Sequence, residues 1–235
     1  MRDNNRSMKI ILLAATFWKA RGVIAGLGLT KRDARTYMKK DSKHNLTLIL
    51  TGMGQARARR AAQQVLQSSP GLVISTGFAG ALKEEIQVGD LVIDNARSDP
   101  KWAGHIAELA QKGLIPAHGG PFFSSGEPLL TVREKVIKAQ ETGAVAVEME
   151  SQAVFEVMKA GRIPFLSVRA VCDTLYQGLP PVVLEAADPA GLNLALFWNL
   201  LIHPRQWGSF WTLVRSSGKA EESLAKILKE FVQNV

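Results

Sequence analysis

The spacing of apolar residues along the chain alternates between the pattern of buried strands and that of helices, and this alternation predicts an α/β fold. Short runs rich in β-branched residues predict buried strands at 9–15, 46–51, 72–76, 91–93, 144–147 and 163–171. Between several of them, apolar residues at helical spacing predict helices, as at 58–66 and 153–158. Strands that alternate with helices predict a largely parallel sheet covered on both faces.

Other stretches carry weaker patterns. Residues 19–43 are basic and contain glycines at 26 and 28, which predicts a helix followed by a loop. Residues 95–126 have little periodicity and are expected to form a strand or two and loops near a site. Thr131, with Glu134 three residues later, predicts a capping box and a helix over 131–140.

The C-terminal part of the chain is predicted to be mostly helical, over 192–202 and 208–235, with a break at Pro204. A chain of 235 residues, 46% of them apolar, is long enough to bury one substantial core. We therefore predict a single domain over residues 1–235, with a helical C-terminal extension at about 190–235.

The charge of the chain is unevenly distributed. The formal net charge is +8, and residues 19–43 hold eight Lys or Arg against two Asp. Such a balance is compatible with a nucleic acid or an anionic lipid as partner, and also with a solvated basic face. Because no RNA-binding motif with interleaved aromatics accompanies the charge, we expect no nucleic-acid partner.

The apolar runs and the single cysteine indicate the cellular compartment in which the protein is expected. The run 10–18 is followed at once by Lys19 and Arg21, so a first buried strand is favoured over a signal peptide. The later run 192–202 is far shorter than the roughly 20 residues that a membrane span needs. Cys172 alone excludes an intrachain disulfide and favours a reducing compartment. We predict a cytoplasmic protein, with peripheral contact to the inner membrane as an alternative.

Acidic residues follow two of the predicted strands and are the leading candidates for chemistry. Glu148 and Glu150 come after the strand 144–147, and Asp173 comes after the strand 163–171. Ligands of open α/β sheets bind beyond the carboxyl ends of strands, so the three carboxylates are expected to face one pocket. A carboxylate accepts hydrogen bonds from vicinal hydroxyls, and a desolvated Asp donates a proton, as N-glycosidic cleavage requires. Helix capping and surface solvation are the alternative for the two Glu. A catalytic Cys172 thiol is a minor alternative, since no His lies near it in sequence.

Two glycine-rich stretches follow predicted strands. Gly52-x-Gly54 and Gly77-Phe78-Ala79-Gly80 are expected to be turns that let the backbone approach a ligand, with packing as the alternative explanation. Neither a GxGxxG fingerprint after the first strand nor a Walker loop occurs. We therefore predict no dinucleotide cofactor. A metal is not predicted either.

Five motifs together resemble the nucleoside phosphorylase and nucleosidase superfamily. They are VEMES, the strand ending in VRAVCD, TGFAGAL with EIQVGDLVI behind it, and TGMGQARA, in family order within residues 9–175. The resemblance implies a three-layer α/β/α sandwich with a mixed, partly barrel-like central sheet. It also implies an adenine nucleoside as substrate and a homo-oligomer.

The resemblance implies roles for individual residues. Glu150 would bind the ribose 2′- and 3′-hydroxyls, and Met149 would pack on the sugar. Asp173 would protonate or hydrogen-bond N7 of the departing purine. Backbone contacts to the base would come from around Gly80 and from Val147–Glu148.

The tail resembles the hopanoid-associated branch of the superfamily, whose members release adenine from adenosylhopane. The resemblance rests on LPPVVLEAADPAG and on the apolar, Trp-rich sequence that follows it. It implies the same substrate here. Methylthioadenosine/adenosylhomocysteine-type cleavage and purine nucleoside phosphorolysis are the alternatives.

Three residues depart from the family pattern and leave the nucleophile open. Lys19 stands where nucleosidases of this kind carry a water-activating Glu. Ser75 and Phe78 stand where phosphorylases bind phosphate. Phosphate as co-substrate therefore stays an alternative to water, and a nucleoside- or lipid-binding protein without turnover is a second hypothesis.

Overall fold

The computed structural model describes residues 7–39, 43–179 and 207–235, with side chains from 215 onward in the last segment. The strands are β1 (Lys9–Ala14), β2 (Thr30–Lys31), β3 (Thr36–Lys39), β4 (Asn45–Leu50), β5 (Leu72–Ala81), β6 (Leu91–Asp94), β7 (Ala117–Gly120), β8 (Phe122–Ser124), β9 (Ala146–Glu148) and β10 (Phe165–Asp173). The helices are α1 (Phe17–Leu27), α2 (Gln55–Leu66), α3 (Pro100–Lys112), α4 (Val132–Thr142), α5 (Ser151–Ala160) and α6 (Trp207–Asn234).

The strands form one mixed sheet in the order β2-β3-β4-β1-β5-β10-β6-β7. Its centre, β4-β1-β5-β10, is parallel, while β2, β3 and β6 pair antiparallel with their neighbours. The far end of β5 pairs with β9, which pairs with β8. Since Pro121 alone separates β7 from β8, the strands from β5 round to β9 curl into an incomplete barrel.

Side chains of alternate strand positions fill two apolar layers. Ile10 and Leu12 of β1 belong to a core that includes residues of α1, α3 and α6. Ile11 and Leu13 belong to a second core, formed with residues of α2 and α5. A third cluster, with Ala79, Val92 and Val171 among its members, fills the incomplete barrel. The predicted three-layer α/β/α architecture with a mixed sheet is confirmed.

The second predicted glycine turn is wrong. Gly77-Phe78-Ala79-Gly80 lies inside β5, which runs on to Ala81, and no helix follows it directly. Pairing with β10 holds all four residues in an extended conformation, and Gly80 also pairs with β9 on the other side. Gly77 keeps a φ of 144°, a conformation that a side chain disfavours.

Residues 95–126 contain a helix that was not predicted from the sequence. β7 and β8 agree with the expected strands, but α3 occupies most of the stretch before them. Asp99 caps α3 by accepting a hydrogen bond from the amide of Lys101, and Pro100 is its first residue. The short hairpin β2–β3 was also missed, because it lies in a basic stretch without alternating hydrophobicity.

The C-terminal helix is part of the main core. Leu224, Leu228 and Phe231 of α6 are fully buried in the core that includes residues of α1. Its bounds confirm the helix predicted over 208–235. The helix predicted over 192–202, and the loop before it, lie outside the described residues. Among the residues that are described, no helix combines the length and hydrophobicity needed to cross a membrane.

Candidate active site

The carboxyl ends of the parallel strands meet at one edge of the sheet. Gly52 and Gly54 follow β4, Asp173 ends β10, and Glu148 ends the antiparallel strand β9. Gly80 lies between β10 and β9, because it pairs with Asp173 on one side and with Val147 on the other. The structure therefore brings the predicted acidic residues to the same edge.

Gly80 is required by the close approach of its neighbours. A Cβ at this position would lie 2.7 Å from Oδ2 of Asp173 and 3.1 Å from Cγ1 of Val147. A side chain would push the carboxylate away from β5. The glycine thus sets the position of Asp173 relative to the sheet.

Asp173 is buried and forms an ion pair with Lys135 of α4. The Lys135 ammonium donates to Oδ2 of Asp173, and to the backbone carbonyls of Thr174 at 2.9 Å and Gln177 at 2.8 Å. The Cys172 thiol donates to Oδ1 of Asp173 at 3.0 Å. Each oxygen of the carboxylate therefore has a donor.

Cys172 is held as a neutral thiol. Desolvation, together with the negative charge of Asp173 and the hydrogen bond to it, raises the pKa of Cys172 well above its ordinary value. The positive charges of Lys19 and Lys135 oppose this shift without cancelling it. A thiolate nucleophile is accordingly disfavoured.

Glu148 is a structural carboxylate. Its two oxygens accept hydrogen bonds from both Ser124 Oγ and Ser151 Oγ, from the amides of Glu150 and Ser151, and from the Arg169 guanidinium. Burial would raise the pKa of Glu148, but the Arg169 charge and these hydrogen bonds outweigh burial and lower the pKa. The side chain has no capacity left for a ligand; a backbone contact with substrate stays a prediction.

Arg169 joins this carboxylate to β5. Its guanidinium is almost fully buried and donates to Glu148 at 3.0 Å and to Ser75 Oγ at 2.9 Å. The Ser75 hydroxyl is thereby engaged, and the Phe78 side chain belongs to the main core. Both side chains are buried.

Glu150 has a different environment from Glu148, although only Met149 separates them. It is the N-cap residue of α5, and it accepts a hydrogen bond from the amide of Gly54 at 3.2 Å. This contact joins two predicted site segments that are nearly 100 residues apart. Glu150 retains acceptor capacity for further donors.

A cavity of about 430 Å³ opens beside this contact. Its lining comes from the start of α2, the loop after β8, and Met149: Met53, Gly54, Gln55, Ala56, Arg57, Gly126, Pro128 and Met149. Met149 and Gly54 are thus at a cavity large enough for a small molecule. Asp173 is not among the lining residues.

The remaining predicted positions lie around this edge. Gly52 has a φ of 84°, and a Cβ there would lie 2.7 Å from Cδ of Arg57. Lys19 reaches the edge from α1, with its Cδ 3.8 Å from where a Cβ of Gly77 would be. Ala79 is buried in the barrel cluster.

Lys135 and Arg169 are the site residues that the sequence reading missed. Arg169 carries a signal, because a charged residue inside an otherwise apolar strand needs a buried partner. Lys135 carries none, because Lys is ordinary in an amphipathic helix such as α4.

A family model of the phosphorylase superfamily matches residues 24–97 and 94–191. The chain belongs to this superfamily. Among curated members, it is similar to a 5′-methylthioadenosine/S-adenosylhomocysteine nucleosidase of Haemophilus influenzae. The two are 30% identical over 161 residues, which are 55% of this chain and 68% of the relative. A nucleosidase of the same name from Actinobacillus succinogenes is 29% identical over 189 residues, covering 64% of this chain and 80% of the relative.

Solved structures of the superfamily share the fold. A Helicobacter pylori mutant nucleosidase with 5′-methylthioadenosine in its active site has a TM-score of 0.74 and 15% identity, covering 98% of this chain and all of the other. Futalosine hydrolase of the same organism also has a TM-score of 0.74 and 15% identity, with 97% and 98% covered.

Proposed function

We propose that this protein cleaves the N-glycosidic bond of an adenine nucleoside and releases adenine. The observation that carries the proposal is the pair of buried carboxylates Glu150 and Asp173 at one sheet edge. One retains acceptor capacity beside a cavity, and the other is held next to Gly80. The nucleosidase relatives support the same reaction class.

The two carboxylates have different roles, one in binding the sugar and one in protonating the base. Glu150 accepts hydrogen bonds from the ribose 2′- and 3′-hydroxyls, which fixes the sugar as it gains oxocarbenium character. Asp173 delivers a proton to N7, so that adenine leaves as a neutral base. General acid catalysis of this kind is typically worth about 10²–10⁴ in rate. Met149, at the cavity wall, packs on the sugar.

Water is the nucleophile that we propose. The relatives named above are nucleosidases and hydrolases, and the side chains of Ser75 and Phe78 are engaged inside the protein. Phosphate stays the alternative, because Lys19 brings a positive charge to the edge where a water-activating Glu would otherwise stand.

Adenosylhopane is the substrate that we propose on the resemblance of the tail. The sequence that carries most of this resemblance, residues 180–206, lies outside the described part of the chain. The Trp207 and Trp211 side chains lie outside it as well. Methylthioadenosine and S-adenosylhomocysteine, which appear in the relatives' names, are therefore the substrates to compare with it.

One experiment tests the reaction, the substrate and the nucleophile together. The protein is incubated with adenosylhopane, methylthioadenosine, S-adenosylhomocysteine or adenosine, with and without phosphate, and adenine and the sugar product are identified. We expect adenine and a free sugar, fastest from adenosylhopane. A sugar 1-phosphate formed only with phosphate would replace hydrolysis with phosphorolysis.

A nucleoside-binding protein without turnover is the second candidate, because Lys19 replaces the expected Glu. Calorimetry on the same nucleosides distinguishes it. Binding without any adenine release would establish this second candidate and exclude the first.

For the Trp-rich tail we propose peripheral contact with an anionic membrane surface, with core packing or a subunit interface as the alternative explanation. Sedimentation with anionic and with neutral vesicles tests this, comparing wild type with Trp207→Ala/Trp211→Ala. We expect binding to anionic vesicles that the double variant loses. No binding by the wild type would contradict it. The homo-oligomer implied by the resemblance stays a prediction, which light scattering checks.

A further inference from the structure

Lys135 is a fully buried lysine whose hydrogen bonds to described residues lie at Asp173 and the turn after it. Its ammonium group has three N–H donors. They are used by Asp173 Oδ2 and by the carbonyls of Thr174 and Gln177, the two ends of that turn. An ammonium group serves all three acceptors, whereas a neutral amine serves the two carbonyls and accepts a hydrogen bond from a protonated Asp173. Both arrangements fit these contacts, which tie β10 to α4.

In the arrangement with an ammonium group, the ionised carboxylate of Asp173 raises a difficulty for the proposed chemistry. A carboxylate without a proton accepts hydrogen bonds and donates none. Asp173 accepts from Lys135 and from Cys172, whose raised pKa keeps its own proton on sulfur. If Asp173 is the acid that meets N7, the proton has to reach it from a neighbour, and Lys135 is the cation in contact with it.

We propose that Lys135 is a positioning residue that shares one proton with Asp173, so that the pair as a unit is the acid for the leaving base. This rests on the proposed function. The pair has two arrangements of equal net charge: ammonium with carboxylate, or amine with carboxylic acid. A bound substrate that displaces water favours the second, because burial penalises separated charges.

The proton balance of the step is complete. As the bond between C1′ and N9 breaks, its electron pair goes to the purine. Asp173 gives its proton to N7, and that proton came to Asp173 from Lys135. The pair is left as amine and carboxylate, one proton short. The proton released by the attacking water makes up the deficit.

The other charged side chains at this edge of the sheet have described contacts with groups other than Asp173. Arg169 and Glu148 form their own pair, Glu150 faces Gly54, and Lys19 comes from α1. Lys135 is the cation for which the structure gives a direct contact with Asp173.

The test compares Lys135→Met with Lys138→Met, a matched control on the same helix whose lysine pairs with Glu141 near the surface. The dependence of kcat on pH is measured for both. The pair holds its last proton on both groups, whereas in Lys135→Met the carboxyl holds it alone. Proton sharing therefore predicts that the alkaline fall in kcat moves to lower pH in Lys135→Met only. If Lys135 acted only as a neighbouring positive charge, its removal would move the fall to higher pH. A lower kcat with this limb unmoved would leave Lys135 a structural residue and overturn the proposal.

Lys135→Arg separates charge from proton sharing. A guanidinium keeps the positive charge and does not give up its proton. We expect its kcat to be as low as that of Lys135→Met. Recovery of the wild-type kcat would show that charge alone is needed, which overturns proton sharing.

A measurement on the wild type does not depend on the folding of any Lys135 variant. The infrared difference between wild type and Asp173→Asn reports the charge of Asp173 in the resting protein. We expect an ionised carboxylate in the resting protein at neutral pH and a protonated carboxyl band when a nucleoside is bound. A band that does not change on nucleoside binding would overturn the proposal. If the wild type bound nucleosides but released no adenine, the proposed function would fail, while the infrared result would still decide whether the proton moves within the pair.

Discussion

Two buried ion pairs lie at the same edge of the sheet, and they leave very different hydrogen-bonding capacity. In the pair Arg169–Glu148, the carboxylate accepts from five donors, which exceeds the roughly four lone-pair positions it offers. In the pair Lys135–Asp173, the carboxylate accepts from two donors among the described residues. Two pairs of the same type, a buried cation with a buried carboxylate, therefore differ in one respect: Glu148 is saturated with donors, whereas Asp173 has acceptor positions left. The number of donors distinguishes them, whereas burial does not.

The largest effect is expected at the pair with spare capacity. Asp173→Asn removes the proton donor, so kcat should fall by about 10²–10⁴ while the far-ultraviolet circular dichroism stays unchanged. Asp90→Asn is the matched control, because Asp90 is also buried but pairs with His118 on β7. A folded Asn variant with wild-type kcat would remove Asp173 from the mechanism.

The saturated pair should matter for stability instead. Arg169→Met leaves Glu148 as a buried charge without its cation, which typically costs about 3–5 kcal/mol of unfolding free energy. Urea denaturation of wild type and variant measures this loss. Lys9→Met, at a lysine that donates only to the Ser68 carbonyl on the surface, is the control. A loss below about 1 kcal/mol would mean that the pair is not a support of the fold.

The same pair predicts how stability depends on pH. The folded protein lowers the pKa of Glu148, so the folded state binds fewer protons there than the unfolded chain does. This contribution is present above the ordinary value of 4.5 and is lost as the pH falls through the lower folded pKa. We expect the melting temperature of Glu148→Gln to fall less steeply below pH 4.5 than that of wild type. Parallel curves would contradict the assignment.

Glu150 extends the comparison, because it is two residues from Glu148 and accepts one hydrogen bond from the described part of the chain. A hydrogen bond to a charged group is worth about 1.5–3 kcal/mol. We therefore expect Glu150→Gln to lower kcat/KM for ribosides by roughly 10- to 150-fold, and less for 2′-deoxyribosides. Glu156→Gln, on the exposed side of the same helix, is the control. Equal losses on both sugar types would exclude a role in recognising the hydroxyls.

The sequence predicted the edge of the sheet but not the difference between its carboxylates. Two apolar strands are each followed by acidic residues, Glu148 and Glu150 after one and Asp173 after the other. This pattern was enough to predict that all three lie at the same edge of the sheet. Which of them is saturated depends on donors from β8 and β10, and such long-range contacts leave no local pattern.

The errors along the chain have the same origin. Gly77 to Gly80 look like a turn locally, and the pairing of β5 with β9 and β10 keeps them in a strand. The helix α3 did carry a local signal, Asp99 followed by Pro100, which is typical of a helix start. Lys135 carried none, since only the fold shows that this position of α4 points at Asp173.

The smallest effect is expected at Cys172, which touches Asp173 but holds its proton. Because its raised pKa keeps it a neutral thiol, a serine hydroxyl can replace it as the donor to Oδ1. Cys172→Ser should therefore keep kcat within about twofold, which corresponds to less than 0.5 kcal/mol. The rate at which iodoacetamide alkylates the wild-type protein should rise only at pH values above those of an ordinary thiol. A large loss of kcat in the Ser variant, or fast alkylation at neutral pH, would mean that the thiol itself takes part in the reaction. Cys172 would then not be a simple hydrogen-bond donor to Asp173.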